Sequence, residues 1–152
     1  MSNSIEGGDA AKRYLKQLAK RVGEGQKLRV GFFKDATYPD GTSVAMVAIS
    51  NEIGDPRRNR RPRPFFRNTI NEHANEWGDV LAQGLSANDM NGDAALRMTG
   101  EVIKGQIQQS IRSFTSPANK KSTIAKKGFD APLRHTKHML NSVDYVVDEG
   151  SE

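Results

Sequence analysis

From Pro56 to Asn71 the chain has no acidic residue but six arginines, Arg57, Arg58, Arg60, Arg61, Arg63 and Arg67, interleaved with Pro56, Pro62 and Pro64 and with Phe65-Phe66 set before the last of them. Proline removes a backbone donor and its ring clashes with the preceding turn, so a regular helix is excluded there. The guanidinium groups cannot shed their charge at physiological pH. The segment is therefore expected to be an extended cationic arm that feeds a helix. Six fixed charges in so short a stretch exceed what solubility requires, which points to a contact with a partner.

The charge excess is local. Over 152 residues the formal net charge is +5 and the pI is about 9.6, values that suit an anionic partner such as nucleic acid or an acidic protein face. A second acid-poor tract runs from Val102 to Phe129 and holds Lys104, Arg112, Lys120, Lys121, Lys126 and Lys127. The chain has no cysteine, which excludes disulfides, thiolate metal sites and cysteine catalysis. No apolar run approaches the ~18 residues of a membrane span, and the N-terminus lacks an apolar signal core, so a soluble chain made in a cytoplasm and without membrane contact is expected. A hydrophobic fraction of 36% is marginal for a free-standing domain of this size and suits a subunit that completes its burial against neighbours.

Periodicity predicts an α+β fold: a small antiparallel sheet packed against two long helices and shorter ones. Residues 1–8 are polar and glycine-containing and are expected to be disordered, 9–148 to form a single domain, and 149–152 to be a loose acidic tail. Asp9 is placed to cap a first helix whose apolar stripe is Ala11, Tyr14, Leu15, Leu18, Ala19 and Val22, stopped by Gly23 and Gly25. Residues 28–33 and 143–147 alternate as half-buried strands and are expected to pair, bringing the two ends of the chain together. Ser43 caps a helix that Gly54 ends.

Pro64 opens the first long helix, lined by Phe66, Ile70, His73, Trp77, Val80, Leu81 and Leu85, with Glu72, Glu76 and Asp79 on its outer, acidic face. Asn91 or Asp93 caps the second, striped by Leu96, Gly100, Ile103, Ile107, Ile111 and Phe114 and widened by Ala95, Met98 and Val102. Gly100 and Gly105 weaken this helix by roughly 1 kcal/mol each relative to alanine, and close packing is the motive expected for them. Short helical turns are expected around 122–126 and 136–140.

The same residues offer little for catalysis. His135 and His138 share a helical face but lack the third and fourth ligands that zinc requires, so no metal is expected. His73, on the apolar stripe beside Trp77, reads as a hydrogen-bonded core histidine. No phosphate-binding glycine loop follows the first strand, and Asp35, Asp40 and Glu52 have no spacing that singles them out as magnesium ligands. Neither an enzyme nor a cofactor is expected. Phe65 and Phe66 read as the start of a core face, while the arginines suit either phosphate or protein contact.

The order of motifs carries more. Val30-Gly31-Phe32, Tyr38-Pro39-Asp40-Gly41, Val44-Ala45 with Val47-Ala48, Asn51-Glu52-Ile53-Gly54 and Arg61-Pro62-Arg63-Pro64-Phe65-Phe66-Arg67 follow one another. Ile103, Gly105, Ile107 and Ser110-Ile111 come later, then Thr123-Ile124 before Lys126-Lys127-Gly128, Pro132-Leu133, Thr136, Leu140, Asn141-Ser142-Val143 and Tyr145. From Leu28 to Val147 this order resembles the neck or tail-completion (head–tail joining) proteins of tailed bacteriophages. That family reads as a strand, an Asn-Glu-aromatic/aliphatic-Gly element and an arginine-proline-phenylalanine entry to a long helix. The chain departs from it at His135-Thr136-Lys137, where an aspartate-threonine-glycine turn is usual, and in the number of arginines in its arm.

The resemblance implies an architectural role with no catalytic residues to transfer. A subunit of a ring, sixfold in the usual case, would sit in the virion at the head-to-tail junction after synthesis in the bacterial host cytoplasm. Its partners would be copies of itself, the portal- or adaptor-side connector proteins, and the tail tube or tail terminator protein, with genomic DNA passing through the channel. The arginine arm and Lys120, Lys121, Lys126 and Lys127 are the residues expected to face protein or DNA. Glu72, Glu76 and Asp79 are expected to meet a neighbouring subunit's arm. The alternative is a sequence-independent nucleic-acid-binding protein that uses the arm directly on phosphates.

Overall fold

The computed structural model describes residues 8–22, 25–113 and 137–149. Lys120, Lys121, Lys126 and Lys127, the helical turn expected at 122–126, Phe114 and His135 lie outside the described residues. Among those described, the order is α1 (Gly8–Val22), β1 (Lys27–Phe32), α2 (Val44–Ile53), a single 3-10 turn (Pro56–Arg58), α3 (Phe65–Ala87), α4 (Gly92–Ser113), α5 (Lys137–Asn141) and β2 (Val143–Asp148). This is the α+β arrangement the periodicity predicts.

β1 and β2 pair antiparallel, with Leu28 opposite Val147, Val30 opposite Tyr145 and Phe32 opposite Val143. These pairs put one apolar face of the sheet onto the helices, where Val143 and Val147 are buried. The other face carries Arg29, whose guanidinium donates from Nε to Asp148 Oδ2 at 2.6 Å and from Nη2 to Oδ1 at 3.1 Å. Arg29 and Asp148 are diagonal neighbours in the register, the spacing at which long side chains meet across a strand pair. That bidentate contact lowers the Asp148 carboxyl below its ordinary range.

α4 is the central element, with the sheet on one side and α3 on another. Gly100 lets the sheet approach closely, since a methyl group there would lie 2.7 Å from the Tyr145 ring and 2.9 Å from Leu28 Cδ1. Lys104 reaches Asp144 at 3.5 Å alongside. α3 runs back along α4 after a tight connection in which Asp89 and Met90 take left-handed φ values of 52° and 61°. Asn91 caps α4 by accepting from Ala94 N at 3.0 Å. The helices touch at Gly84 and Ala95, and Trp77 Nε1 donates to Gln106 Oε1 at 2.8 Å.

The core lies between α4, the N-terminal turn of α3, α2 and the sheet: Val44, Ala48, Phe65, Ile103, Ile107, Ile111, Met139 and Val143. Phe65 sets its edge against Phe32 at a centroid distance of 6.1 Å. Two small contacts tie the periphery down. His138 Nε2 lies 2.5 Å from the Thr37 carbonyl, and its ring leans on Tyr38.

Several local expectations are corrected. The arginine arm is not extended from its start. Asp55 Oδ1 accepts from Arg57 N at 3.1 Å, Pro56 opens one 3-10 turn, and Asn59 reverses the chain with φ 53°. Asp55 and Arg60 then close the loop with two backbone bonds of 2.9 Å. Pro56 is compatible with a first helical position, where its missing N–H costs nothing, and the Asp55 side chain supplies the cap. Ile70, Met98 and Val102, expected on core stripes, are exposed, because a two-stranded sheet is too narrow to cover more than one side of the helix pair. His73 is half-buried at the flank of α3, 3.2 Å from Glu76 and 3.8 Å from Glu72, rather than in the core.

Candidate functional site

The arginine loop is held by the end of α2, and the Asn51-Glu52-Ile53-Gly54 motif is the device that holds it. The Glu52 carboxylate crosses to the start of α3, where it accepts from Phe66 N at 2.9 Å and from Arg67 N at 3.1 Å. These are free donors of a helix first turn, so Glu52 caps α3 from 14 residues away in sequence. Arg67 completes the contact, donating from Nε to Glu52 Oε1 at 2.9 Å and from Nη2 to the Glu52 carbonyl at 3.0 Å. Asn51 contributes its carbonyl, which accepts from Arg63 N at 2.6 Å, and its side chain bonds back to the Val47 carbonyl.

Gly54 is where the two chain segments pass. Its φ is 79°, and a Cβ built there would lie 2.7 Å from both the Arg60 carbonyl oxygen and Pro62 N. Both the backbone conformation and the space select glycine. Asn51, Glu52 and Gly54 thus convert a proline-rich segment into a fixed loop whose guanidiniums are presented from a rigid base.

The six arginines separate into different environments. Arg67 is engaged by Glu52, and Arg58 lies 3.7 Å from Asp55. Arg63 is half-buried, and its Nε has no hydrogen-bond partner. Burial, and then the neighbouring Arg60 charge, lower the Arg63 pKa from the ordinary guanidinium value. Arg57, Arg60 and Arg61 are exposed, with no ion pair among the described residues. The loop therefore offers unneutralised positive charge beside a buried donor that nothing in the described chain satisfies.

A second feature adjoins it. On α2, Met46, Ile49 and Ile53 share one face at spacings of three and four, and are 60%, 50% and 63% exposed. The opposite face supplies Val44 and Ala48 to the core. The sequence signal for this is the uninterrupted apolar run Val44–Ile49. A helix apolar all round has two faces to cover, and among the described residues one of them is left exposed. The stripe ends at Ile53, directly before Gly54 and the arginine loop.

The acidic residues of α3 lie elsewhere. Glu72, Glu76 and Asp79 are exposed. Glu76 accepts from Gln106 Nε2 at 3.5 Å, which sets the acidic row beside α4, and His73 stands between Glu72 and Glu76.

Of the carboxylates weighed as metal ligands, Asp40 accepts from Thr42 N at 3.0 Å in its turn, and that backbone bond lowers its pKa. Glu52 is committed to the cap. No cluster of three or more metal-ligating side chains occurs among the described residues, and no helix among them is long and apolar enough to cross a membrane. Comparison with protein-family models, with curated proteins and with solved structures found no match.

Proposed function

We propose that the chain is an architectural subunit of the phage head-to-tail junction, a neck or tail-completion protein that works in a ring, and that α2 with the arginine loop is its contact surface for a protein neighbour. The observation that carries the reading is the exposed Met46, Ile49 and Ile53 stripe running up to unpaired guanidiniums. Methionine and arginine are both enriched in protein interfaces, and arginine is among the residues that carry most of their binding energy. Phosphate contact needs the arginines but gives no role to an isoleucine-methionine face.

The motif order read in the sequence supports the same assignment. Its Asn-Glu-Ile-Gly and Arg-Pro-Phe-Phe elements meet in space as one clamp, which presents the loop without using its exposed charges. A rigid, loop-presenting scaffold suits a subunit whose work is done by interfaces.

Arg57, Arg60 and Arg61 favour one second reading, contact with DNA in the channel. Replacing Arg60 and Arg61 by glutamate separates the two. A protein interface predicts that assembly fails while DNA affinity stays where it was. A phosphate contact predicts loss of DNA affinity and a shallower salt dependence, the logarithm of the binding constant changing by roughly 0.9 less per lost contact for each decade of salt.

A further inference from the structure

We propose that the face of the α3/α4 pair carrying Met98, Val102 and Gly105, rimmed by Glu72, Glu76 and Asp79, is the docking site for helix α1 of a second copy of this chain. The proposal rests on the reading of the protein as a ring subunit and adds a second contact surface, separate from α2 and its loop, through which one subunit holds the next.

Three observations converge on the receiving face. Met98 and Val102 lie one turn apart on α4 and are 45% and 38% exposed. Gly105 follows, and a methyl group built on it would meet no atom within 4 Å. A mid-helix glycine lowers helix stability, and the close packing that explains Gly100 is missing at Gly105 among the described residues. The acidic row of α3 stands alongside, since Glu76 bonds to Gln106, the residue after Gly105.

The occupant is chosen by charge and shape. α1 meets the rest of the described fold at its last turn, where Gly92 comes against the Val22 backbone. Earlier on the helix, Tyr14 and Leu15 are 61% and 60% exposed. Lys12, Arg13, Lys16 and Lys20 are exposed around them. An amphipathic helix with basic flanks is the complement of an apolar groove with an acidic rim, and the glycine lets the two helix axes approach closely. The arginine loop, first expected opposite Glu72, Glu76 and Asp79, is a poorer fit: it brings charge but no apolar side chains to fill the groove, and its own apolar neighbours are on α2.

The absence of cysteine from the chain makes the test clean. Full-length Tyr14→Cys and Val102→Cys variants are purified separately, mixed and oxidised, and a Tyr14→Cys/Val102→Cys double variant is oxidised alone. The docking predicts a disulfide-linked dimer from the mixture and a ladder of linked oligomers from the double variant. A link confined to single chains, or no link in the mixture, overturns it.

A second arm reads charge. Glu72→Lys/Asp79→Lys and Lys12→Glu/Lys16→Glu each weaken self-association by about tenfold or more, and combining them recovers most of the loss. Loss without recovery overturns the pairing. A ring that forms in every variant overturns this docking and leaves the ring reading standing, whereas a parent chain that is monomeric at all concentrations removes both.

Discussion

Glu52 and Arg67 join the end of α2 to the start of α3 through one carboxylate that takes two backbone amides and a guanidinium at 2.9–3.1 Å. The arginine loop between them is thereby fixed at both ends, so changes at Glu52 act on the presentation of a surface to which Glu52 does not itself contribute. Glu52→Ala is expected to lower stability by about 2 kcal/mol, because it orphans two helix donors and a cation together. Arg67→Ala removes a half-exposed ion pair and a bond to the Glu52 carbonyl but leaves the carboxylate its two amides, and costs about 1 kcal/mol. Chemical denaturation of the two variants side by side checks the order.

Gly54→Ala is expected to be the costlier change for its size. The added methyl meets backbone of Arg60 and Pro62, which cannot swing away, at a φ that alanine disfavours. A loss of about 2–3 kcal/mol follows, with amide exchange rising from Asp55 to Arg61 ahead of the core. Equal stability with unchanged exchange would show that the loop is not held here.

Gly100 and Gly105, the two mid-helix glycines of α4, should respond in opposite directions. Gly100→Ala drives a methyl into the Tyr145 ring and is expected to cost about 1–3 kcal/mol. Gly105→Ala meets no atom within 4 Å among the described residues and is expected to stabilise the dissociated subunit by roughly 1 kcal/mol. Thermal melts of dilute protein give both signs. If α1 of a second copy occupies the groove, Gly105→Leu also raises the concentration needed for self-association.

Acid stability follows from Asp148 and Asp40. Hydrogen bonding from Arg29, and from the Thr42 amide, holds these carboxyls below their unfolded values. Their contribution is therefore fully present above the ordinary carboxylate range, near ~3.9 for aspartate, and is lost as pH falls through the lower folded values. Asp148→Asn removes the partner of Arg29 and flattens that part of the profile. A melting temperature with the same acid dependence in Asp148→Asn as in the parent would count against the sheet contact.

Most of this fold was legible as local pattern. The alternation in 28–33 and 143–147 is enough to find two strands and to pair them, because one apolar face per strand leaves few other registers. Capping chemistry at Ser43 and Asn91 places helix starts for the same reason, each cap bonding within three residues. What pattern cannot reach is which element covers a stripe. Ile70, Met98 and Val102 lie on good helical stripes yet face outward, since the sheet that would cover them has two strands among the described residues. Glu52 was legible as a member of the Asn51-Glu52-Ile53-Gly54 motif but not as a helix cap, its partners being 14 and 15 residues away across a turn no short-range rule describes. The loop at Pro56 departs from an extended arm because prolines exclude a long helix but permit a single capped turn.

The most direct test of the architectural reading is the mass and image of the full-length chain, by native mass spectrometry and negative-stain microscopy, compared with an Ile49→Asp/Ile53→Asp variant. A junction subunit gives closed rings whose mass is an integral multiple of the 16.8 kDa chain, and the variant loses the ring or its attachment to adjoining connector protein while keeping its fold. A parent chain that stays monomeric, joins no connector or tail protein and binds DNA with a steep salt dependence would contradict it.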